Sequence, residues 1–165
     1  MKKINLFLLL LTLFNLNSFA NNDYIKIIDR GKQFWNNWKN KRKTKLYISN
    51  YFFNSKNLKG YDFRNIYFTN MLFVNNNFTN TDFSYSIFKK LLCHSPYMPK
   101  GFKPKINRFI NTKFYKVKIL NSKMVMSIYK RVNFTSSFII DTDLSFSHMF
   151  NMNFSFIKIK NSYLI

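Results

Sequence analysis

The feature that most constrains this chain is a phenylalanine at every fifth residue from position 68 to position 88. These residues are Phe68, Phe73, Phe78, Phe83 and Phe88. An α-helix repeats its buried face about every 3.6 residues and a β-strand every second residue, so neither element alone explains a period of five. The pattern therefore requires a repeating structure other than a single helix or strand.

The same period of five runs through most of the chain. Steps of five that start at Ile48 pass through Phe53, Leu58, Phe63, the five phenylalanines above and Cys93. Residues 94–107 interrupt the period and contain all three prolines, which indicates a loop. The period then resumes, and its inward positions are Phe109, Phe114, Ile119, Met124, Tyr129, Phe134, Ile139, Leu144, Met149, Phe154, Ile159 and Leu164. Chance does not explain this run, because the chain is only 47% hydrophobic.

A second position of the repeat, two residues before each large residue, is also distinctive. After the interruption it is never charged, and most of its residues are small, as with Thr112, Ser122 and Ser137. Charged residues such as Arg64 and Lys113 occupy the other three positions. The sequence therefore predicts two inward and three outward residues in every five.

Two segments carry a resemblance to a known family. The unit Thr81-Asp82-Phe83-Ser84 and the later stretch "TDLSFSHMF" resemble the pentapeptide repeat, whose consensus is a small residue, Asp or Asn, Leu or Phe, and two variable residues. The resemblance covers about residues 61–165, with the loop inside it. It implies an all-β fold, a right-handed quadrilateral β-helix in which four repeats form one square coil. Coils stacked at sheet spacing, about 4.8 Å, would make a rod of about 20–25 Å.

The resemblance also bears on partners. Some members of this family are acidic rods that imitate DNA and bind DNA gyrase. This chain has the opposite charge, with 27 Lys and Arg residues against 6 acidic residues. Gyrase is therefore not expected as its partner.

The start of the array departs from the consensus. Tyr61, Ile66 and Met71 put large groups at the small position, and Asn76 puts a polar group there. Lys56 would point inward if the array began before residue 58. Overpacking a tight interior costs about 1–3 kcal/mol per site. We therefore expect the first coil to be irregular or wider than the rest.

Residues 1–20 have the order of a secretory signal peptide. Lys2 and Lys3 precede the apolar run "LFLLLLTLF", and Ser18 and Ala20 have the small-x-small spacing of a cleavage site. The alternative is an uncleaved anchor, but this run is shorter than the about 20 residues that a membrane span requires. We expect cleavage after Ala20 and export to the periplasm or the medium of a bacterial cell. The mature charge would be 27 − 2 − 6 = +19.

Residues 21–47 lack the period of five and form a separate region. Tyr24, Ile28, Trp35 and Trp38 fall at helical spacing, which predicts a short amphipathic helix that caps the first coil. A basic linker follows the two tryptophans, a combination suited to anionic lipid or nucleic acid. The candidate site for an anionic surface comprises Trp35, Trp38, Lys39, Lys41, Arg42, Lys43 and Lys45, together with Lys100, Lys103 and Lys105 of the loop. The alternative is that these residues form a solvated cap and a solvated loop.

The basic residues of the repeats form a belt around the rod in this interpretation. Residues 20 apart share a side of the square coil, so Lys118 meets Phe138 and Lys130 meets Phe150 one coil further on. No basic stripe is therefore expected along the rod.

The predicted β-helix occupies residues 48–165, and its last inward position is Leu164. No capping segment follows this position in the sequence. The last coil is expected either to be covered by the loop or to stack on a second molecule. Because family members often dimerise through one end, a homodimer through the C-terminal end is the expected assembly.

The sequence offers little for catalysis. Cys93 is the single cysteine and occupies an inward position, which argues against a nucleophilic pair with His94. His148 precedes the inward Met149 and so points outward. The Cys, His and Asp residues are too few and too scattered for a metal site. We expect a non-enzymatic protein without a metal or a cofactor.

Two functions therefore stay open. The first is an exported scaffold that binds a protein partner, which no sequence pattern identifies. The second is a binder of membrane lipid, acidic polymer or nucleic acid through the basic N-terminal segment and the loop. The positive charge does not decide between them, because a chain rich in Lys, Asn, Ile, Phe and Tyr is also typical of an AT-rich genome.

Overall fold

The structure is a computed structural model that describes residues 22–42, 44–93 and 106–163. The predicted signal peptide, Lys43, residues 94–105 of the predicted loop, and Leu164 lie outside the described residues. The described residues form two short helices and a parallel β-helix. The predicted quadrilateral β-helix with a helical N-terminal segment is confirmed.

Two helices precede the β-helix. Helix α1 spans Asn22–Asp29 and helix α2 spans Lys32–Asn40. Gly31 separates them with a φ of 101°, a conformation that residues with a side chain rarely adopt. Its amide donates to the Ile28 carbonyl at the end of α1, and its carbonyl accepts from the Trp35 amide in α2. The prediction of a single amphipathic helix was wrong because the chain turns at this glycine.

The strands of the β-helix pair in parallel with strands one coil away. Their bounds are β1 Leu46–Ser49, β2 Phe52–Asn54, β3 Ile66–Val74, β4 Ile87–Cys93, β5 Arg108–Ile110, β6 Lys118–Leu120, β7 Lys123–Met124, β8 Ile128–Lys130, β9 Phe138–Ile140, β10 His148–Phe150 and β11 Lys158–Lys160. Partners such as Ile48 and Phe68 are 20 residues apart, so four repeats complete one coil. Across residues 94–105 the offset is 31, as between Phe88 and Ile119, because 31 − 20 = 11 residues are inserted there.

The square coil has four sides. Side 1 is a six-stranded sheet in the order β1-β3-β4-β6-β9-β11. Strands β3 and β4 continue around a corner to side 2, where they pair with β2 and β7. Side 3 contains the sheet β10-β8-β5, and side 4 is joined by isolated bridges such as the one between Asp62 and Asp82.

Each described corner of the coil has a residue in the left-handed backbone region. Nine of these corner residues are Asn, and Gly60 occupies another corner. Gly and Asn tolerate positive φ better than other residues do. The corner amides also bond between coils, as Asn70 Nδ2 donates to Asn50 Oδ1 at 2.9 Å. The high Asn content therefore has a structural role that composition alone does not reveal.

The large inward side chains form one continuous column. The Phe114 ring stacks between Phe83 and Phe134, with ring centroids 5.2 and 4.9 Å apart. These distances match the spacing of strands in a sheet, so the column repeats with the coils. The predicted core positions that are buried are Phe63, Phe68, Phe73, Phe78, Phe83, Phe88, Phe109, Phe114, Ile119, Met124, Tyr129, Phe134, Ile139 and Leu144.

Burial of the column decreases in the last described coils. Met149 and Phe154 are partly buried, and Ile159 is 38% exposed. The Phe154 ring still stacks on Phe134, with centroids 5.7 Å apart. These three predicted core residues occupy the inward position of the repeat, as predicted. They are less buried because no described coil stacks on their outer side.

The smaller inward residues join the coils by hydrogen bonds. The Ser86 hydroxyl donates to the Phe63 carbonyl at 2.7 Å. Asn76 Nδ2 donates to the Phe53 carbonyl at 2.8 Å, and Asn107 Nδ2 donates to the Phe73 carbonyl at 2.8 Å. Asn107, predicted as the end of the loop, is therefore part of the β-helix. Within the described ranges, every buried side-chain nitrogen and oxygen has a hydrogen-bond partner.

Of the two expectations for the first coil, irregularity or greater width, irregularity of the strand pairing is not observed. Strand β1 pairs with β3 in the common register, and the large Tyr61 and Ile66 are buried. The Tyr61 hydroxyl donates to the carbonyl of Ile28 in α1 at 3.2 Å. Lys56 directs its ammonium to Asp29 at the end of α1, at 2.6 Å. The helices therefore provide partners for the Tyr61 hydroxyl and the Lys56 ammonium, two groups that a stacked coil would not accommodate.

Candidate interaction surfaces

The fold removes Trp35 from the predicted anionic-surface site. Trp35 is fully buried in α2, and its ring lies 5.4 Å from the Phe63 ring, centroid to centroid. Its Nε1 donates to the Asp62 backbone carbonyl at 2.7 Å. The assignment of Trp35 to a binding surface was wrong, because this side chain closes the end of the column.

Lys39 is also buried. Its assignment to the binding surface was wrong because its side chain is not accessible to a ligand. Burial lowers the pKa of its ammonium, while the Asp62 carboxylate acts in the opposite direction. Arg64 Nη2 lies 2.6 Å from that carboxylate. Partial burial acts to raise the pKa of Asp62, but the hydrogen bonds from Arg64 outweigh it and the pKa lies below its ordinary value of 3.8. Lys39 of α2 therefore lies near the Asp62–Arg64 ion pair of the first coil.

The other described residues of the predicted site form a smaller group. Trp38 is half-buried, and the Arg42 guanidinium carbon lies 4.5 Å from the centre of its ring. Lys41, Arg42 and Lys45 are exposed, and Lys45 Nζ lies 3.4 Å from the Tyr67 hydroxyl. Lys43, Lys100, Lys103 and Lys105 lie outside the described residues. The structure thus leaves three exposed cations near the end of α2. The two tryptophans pack against each other, and Trp35 also packs against the first coil.

Side 1 has an outer surface of a different kind. One column along it contains Tyr47, Tyr67, Ile87, Lys118, Phe138 and Lys158. A neighbouring column contains Ser49, Thr69, Lys89, Leu120, Ile140 and Lys160. We call these two columns the side 1 surface. It combines aromatic, aliphatic and basic side chains, and neither column contains an acidic residue.

Contacts on the side 1 surface order its side chains. The Tyr47 and Tyr67 rings stack with centroids 4.9 Å apart. Lys118 Nζ and Lys158 Nζ lie 5.9 and 5.7 Å from the centre of the Phe138 ring, from one coil on either side. The sequence comparison of neighbouring coils missed this arrangement, because Lys158 is two coils from Lys118. A search at a spacing of 20 + 20 residues would have found it.

Side 4 contrasts with side 1 because its outward residues are mostly polar. Several of its Asp and Asn side chains bond to the backbone two residues further on. Asp82 Oδ1 accepts from the Ser84 amide at 2.9 Å, and Asn133 Oδ1 accepts from the Thr135 amide at 2.8 Å. These oxygens stabilise the turns of their own coils. The two sides therefore differ in what they can offer to a partner.

The reactive side chains of the described residues are buried or far apart. Cys93 is fully buried, and burial raises the pKa of its thiol. The Tyr129 hydroxyl donates to the Met124 carbonyl at 2.9 Å inside the column, and burial raises its pKa. His148 is exposed, whereas His94 is outside the described part of the chain. No three His, Cys or acidic side chains in the described ranges lie together as metal ligands.

The helices of the described residues are also too short and too polar to cross a membrane.

No family model matches the sequence, and no curated protein matches it. Solved structures do match. A trypsin-treated form of QnrB1, a plasmid-mediated fluoroquinolone resistance protein, is 17% identical with a TM-score of 0.50, over 70% of this chain and 61% of that chain. The pentapeptide repeat protein Rfr23 from the cyanobacterium Cyanothece 51142 is 12% identical with a TM-score of 0.31, over 72% and 60% of the two chains. This chain thus spans less than two thirds of either, and the QnrB1 match supports the fold alone.

Proposed function

Because this chain has the β-helix fold of the pentapeptide-repeat proteins, we propose that it is a non-enzymatic scaffold that binds a protein partner on side 1. The observation that carries the proposal is the side 1 surface. Aromatic and aliphatic side chains are exposed or half-buried along six strands there, with lysines among them. Aromatic residues are enriched at protein interfaces and supply much of their binding energy.

The geometry of side 1 suits such a role. Six strands at about 4.8 Å spacing make a surface about 24 Å long. Its side chains are already ordered by the Tyr47–Tyr67 stack and by the two lysines around Phe138. Ordered side chains lose less conformational freedom on binding, which favours affinity. The lysines favour a partner with acidic residues at the rim of its binding surface.

The second candidate function is binding of an anionic surface through the N-terminal segment and the loop. Among the described residues, only Lys41, Arg42 and Lys45 of that predicted site are exposed cations. No specific contact in this group points to an anionic ligand. The protein-binding scaffold is therefore the better-supported function.

We also propose that the protein is exported and loses residues 1–20. The support is the order of basic, apolar and small residues at the N-terminus. Intact-mass measurement of protein expressed in a bacterium with a secretory pathway tests this. A mature chain that starts at Asn21 is expected, and a secreted or periplasmic chain that retains residues 1–20 would contradict the cleavage.

The binding proposal is tested by capture of partners on immobilised protein that starts at Asn21. Envelope and secreted fractions of the source cell are applied and washed at low and high salt, and retained proteins are identified by mass spectrometry. One protein retained at high salt is expected. The variant Tyr67→Thr/Ile140→Thr on side 1 should lower its capture at least about tenfold.

Ile110→Thr is the matched control for Ile140→Thr. Both isoleucines end a short strand, occupy the same position of the repeat and are half-buried, but Ile110 is on side 3. The control should retain the partner. Equal capture by the side 1 and side 3 variants would show that the partner does not use side 1. Loss of every protein at high salt would favour the anionic-surface function.

A further inference from the structure

Five exposed aromatic side chains surround the last described coils. They are Phe138, Phe146, Phe150, Phe156 and Tyr163, with exposed fractions of 36, 76, 55, 87 and 66%. We call them the aromatic collar. Residues 138–163 make about one and a quarter coils, so the five residues lie within about 6 Å along the axis.

The aromatic collar extends around the rod. Phe138 is on side 1, Tyr163 on side 2 and Phe150 on side 3. Phe146 follows side 2 and Phe156 follows side 4, so these two occupy diagonally opposite corners. The collar is therefore a band at one height and not a patch on one side.

The two corner phenylalanines pack little against the rest of the chain. Phe146 and Phe156 have φ values of 55° and 54°, which are strained for a bulky residue. Asn occupies nine other corners with less strain, and eight further corners carry residues other than Asn and Gly, among them Tyr85 and Met126. The strain is therefore shared, and what distinguishes Phe146 and Phe156 is the large exposed area of their rings. Both rings are mostly exposed, so packing within the chain offsets little of the strain. A contact outside the chain explains rings at these positions better than stability does.

Basic residues accompany the collar. Within residues 138–163 two lysines balance two aspartates, and the coil before them, residues 118–137, adds four Lys and Arg residues and no acid, so residues 118–163 have a formal charge of 6 − 2 = +4. Lys158 and Lys160 are exposed in β11, among the collar residues. Asp141 Oδ1 accepts from Asn161 Nδ2, and Asp143 Oδ1 accepts from the Ser145 amide. The surroundings of the collar therefore attract anions.

We propose that the aromatic collar docks this end of the β-helix on the surface of an anionic lipid bilayer. A protein partner contacts one contiguous side, and a second copy stacked on the axis covers the axial end. A partner on one side, or a second copy that covers only the axial end, would leave several of these rings exposed. A bilayer interface surrounds an inserted end on every side, and its anionic headgroups complement the lysines. Aromatic rings favour this interface, which is about 5–10 Å deep, and the collar is no taller.

Vesicle co-sedimentation tests the proposal. Protein that starts at Asn21 is used, so that the apolar N-terminal run does not contribute to binding. The vesicles are phosphatidylcholine alone and an equal mixture of phosphatidylcholine and phosphatidylglycerol. Binding to the mixed vesicles is expected, with little binding to phosphatidylcholine alone. The variant Phe146→Asn/Phe156→Asn should lower the bound fraction at least about tenfold, because two buried rings are lost from the interface.

The chain offers a matched control for this variant. Tyr85 is at the same corner as Phe156 in an earlier coil, with a φ of 63° and 51% exposure. Tyr85→Asn should leave vesicle binding unchanged. Both substitutions install the residue that other corners use, so the fold is expected to be retained, and circular dichroism checks this. In a second readout, brominated lipid should quench the fluorescence of Phe156→Trp more than that of Tyr85→Trp.

Three results would overturn the proposal. The first is vesicle binding that high salt abolishes but Phe146→Asn/Phe156→Asn does not change, which would mean that charge alone binds lipid. The second is a solution dimer that this variant dissociates, with no vesicle binding, which would assign the collar to a second copy. The third is equal loss of binding in Tyr85→Asn. The collar and the side 1 surface share Phe138, but Phe146 and Phe156 belong to the collar alone. The variant Phe146→Asn/Phe156→Asn should therefore still capture a side 1 partner.

Discussion

At the N-terminal end of the β-helix, helix α2 covers the column of inward rings, whereas at the other end of the described residues the column is open. Trp35 packs on Phe63 and is fully buried with it. Phe154 occupies the same side of the coil as Phe63 but is only partly buried, and Ile159 is exposed. A solenoid residue is buried by its neighbouring coils. The comparison shows that an inward position ensures burial only where a coil or a cap lies on both sides.

The two ends also differ in polar contacts. Both ion pairs among the described residues, Lys56–Asp29 and Arg64–Asp62, are in the first coil, and one of them reaches α1. The last coils instead expose aromatic rings, two of them at strained corners. The N-terminal end is thus closed by contacts within the chain, whereas the last described coil presents exposed aromatic rings.

The largest expected effect on stability compares a phenylalanine in the middle of the column with one in the last described coil. Phe114→Ala should lower the free energy of unfolding by about 3–5 kcal/mol, because it leaves a cavity in the middle of the column. Phe154→Ala, at the same repeat position two coils later, should cost about 1 kcal/mol, since its ring is partly in water already. Guanidinium unfolding followed by circular dichroism measures both. Equal losses would show that the last coil is as well covered as the middle one.

A smaller expected loss of stability tests whether helix α2 closes the N-terminal end of the column. Trp35→Phe keeps an aromatic ring but leaves the Asp62 carbonyl without the Nε1 donor, which should cost about 1–3 kcal/mol. Trp38→Phe is the control, because its ring is half-buried and its indole forms no hydrogen bond to any residue that the structure describes. We expect a loss below about 1 kcal/mol. The same unfolding measurement compares them. A larger loss for Trp38→Phe would mean that the outer tryptophan holds the cap.

The fold could be predicted from the sequence because its rule is local and repeated. Each inward position is five residues from the next, so a missed residue or a break at the loop does not hide the pattern. Tyr61 and Ile66 suggested an irregular first coil because the consensus describes a coil stacked on other coils. The Tyr61 hydroxyl reaches Ile28 of α1, and the consensus does not represent such a helix. Ile66 instead fits within the stacked coils, where it pairs with Leu46.

The positions of the site residues could not be predicted in the same way. The burial of Trp35 and Lys39 depends on how α2 lies on the first coil, and the Trp35–Asp62 hydrogen bond spans 27 residues. The pairing of Lys118 and Lys158 around Phe138 requires a comparison across two coils. The corner role of Asn, and hence the strain at Phe146 and Phe156, requires backbone angles that sequence patterns do not contain.

The smallest expected effect is a dependence of stability on acid through Asp62 in the first coil. The pKa of Asp62 is lowered in the folded protein from its ordinary 3.8, so the unfolded chain binds its proton more readily. The contribution of the Asp62–Arg64 pair is therefore fully present above about pH 3.8 and is lost as the pH falls through the lower folded value. We expect it to be below about 1 kcal/mol, because Arg64 is half exposed and solvent screens the pair. Asp62→Asn should flatten the acid limb of unfolding stability against pH, and Lys59→Gln, an exposed neighbour, should not. An unchanged acid limb in Asp62→Asn would remove this pair from the contacts that distinguish the capped end.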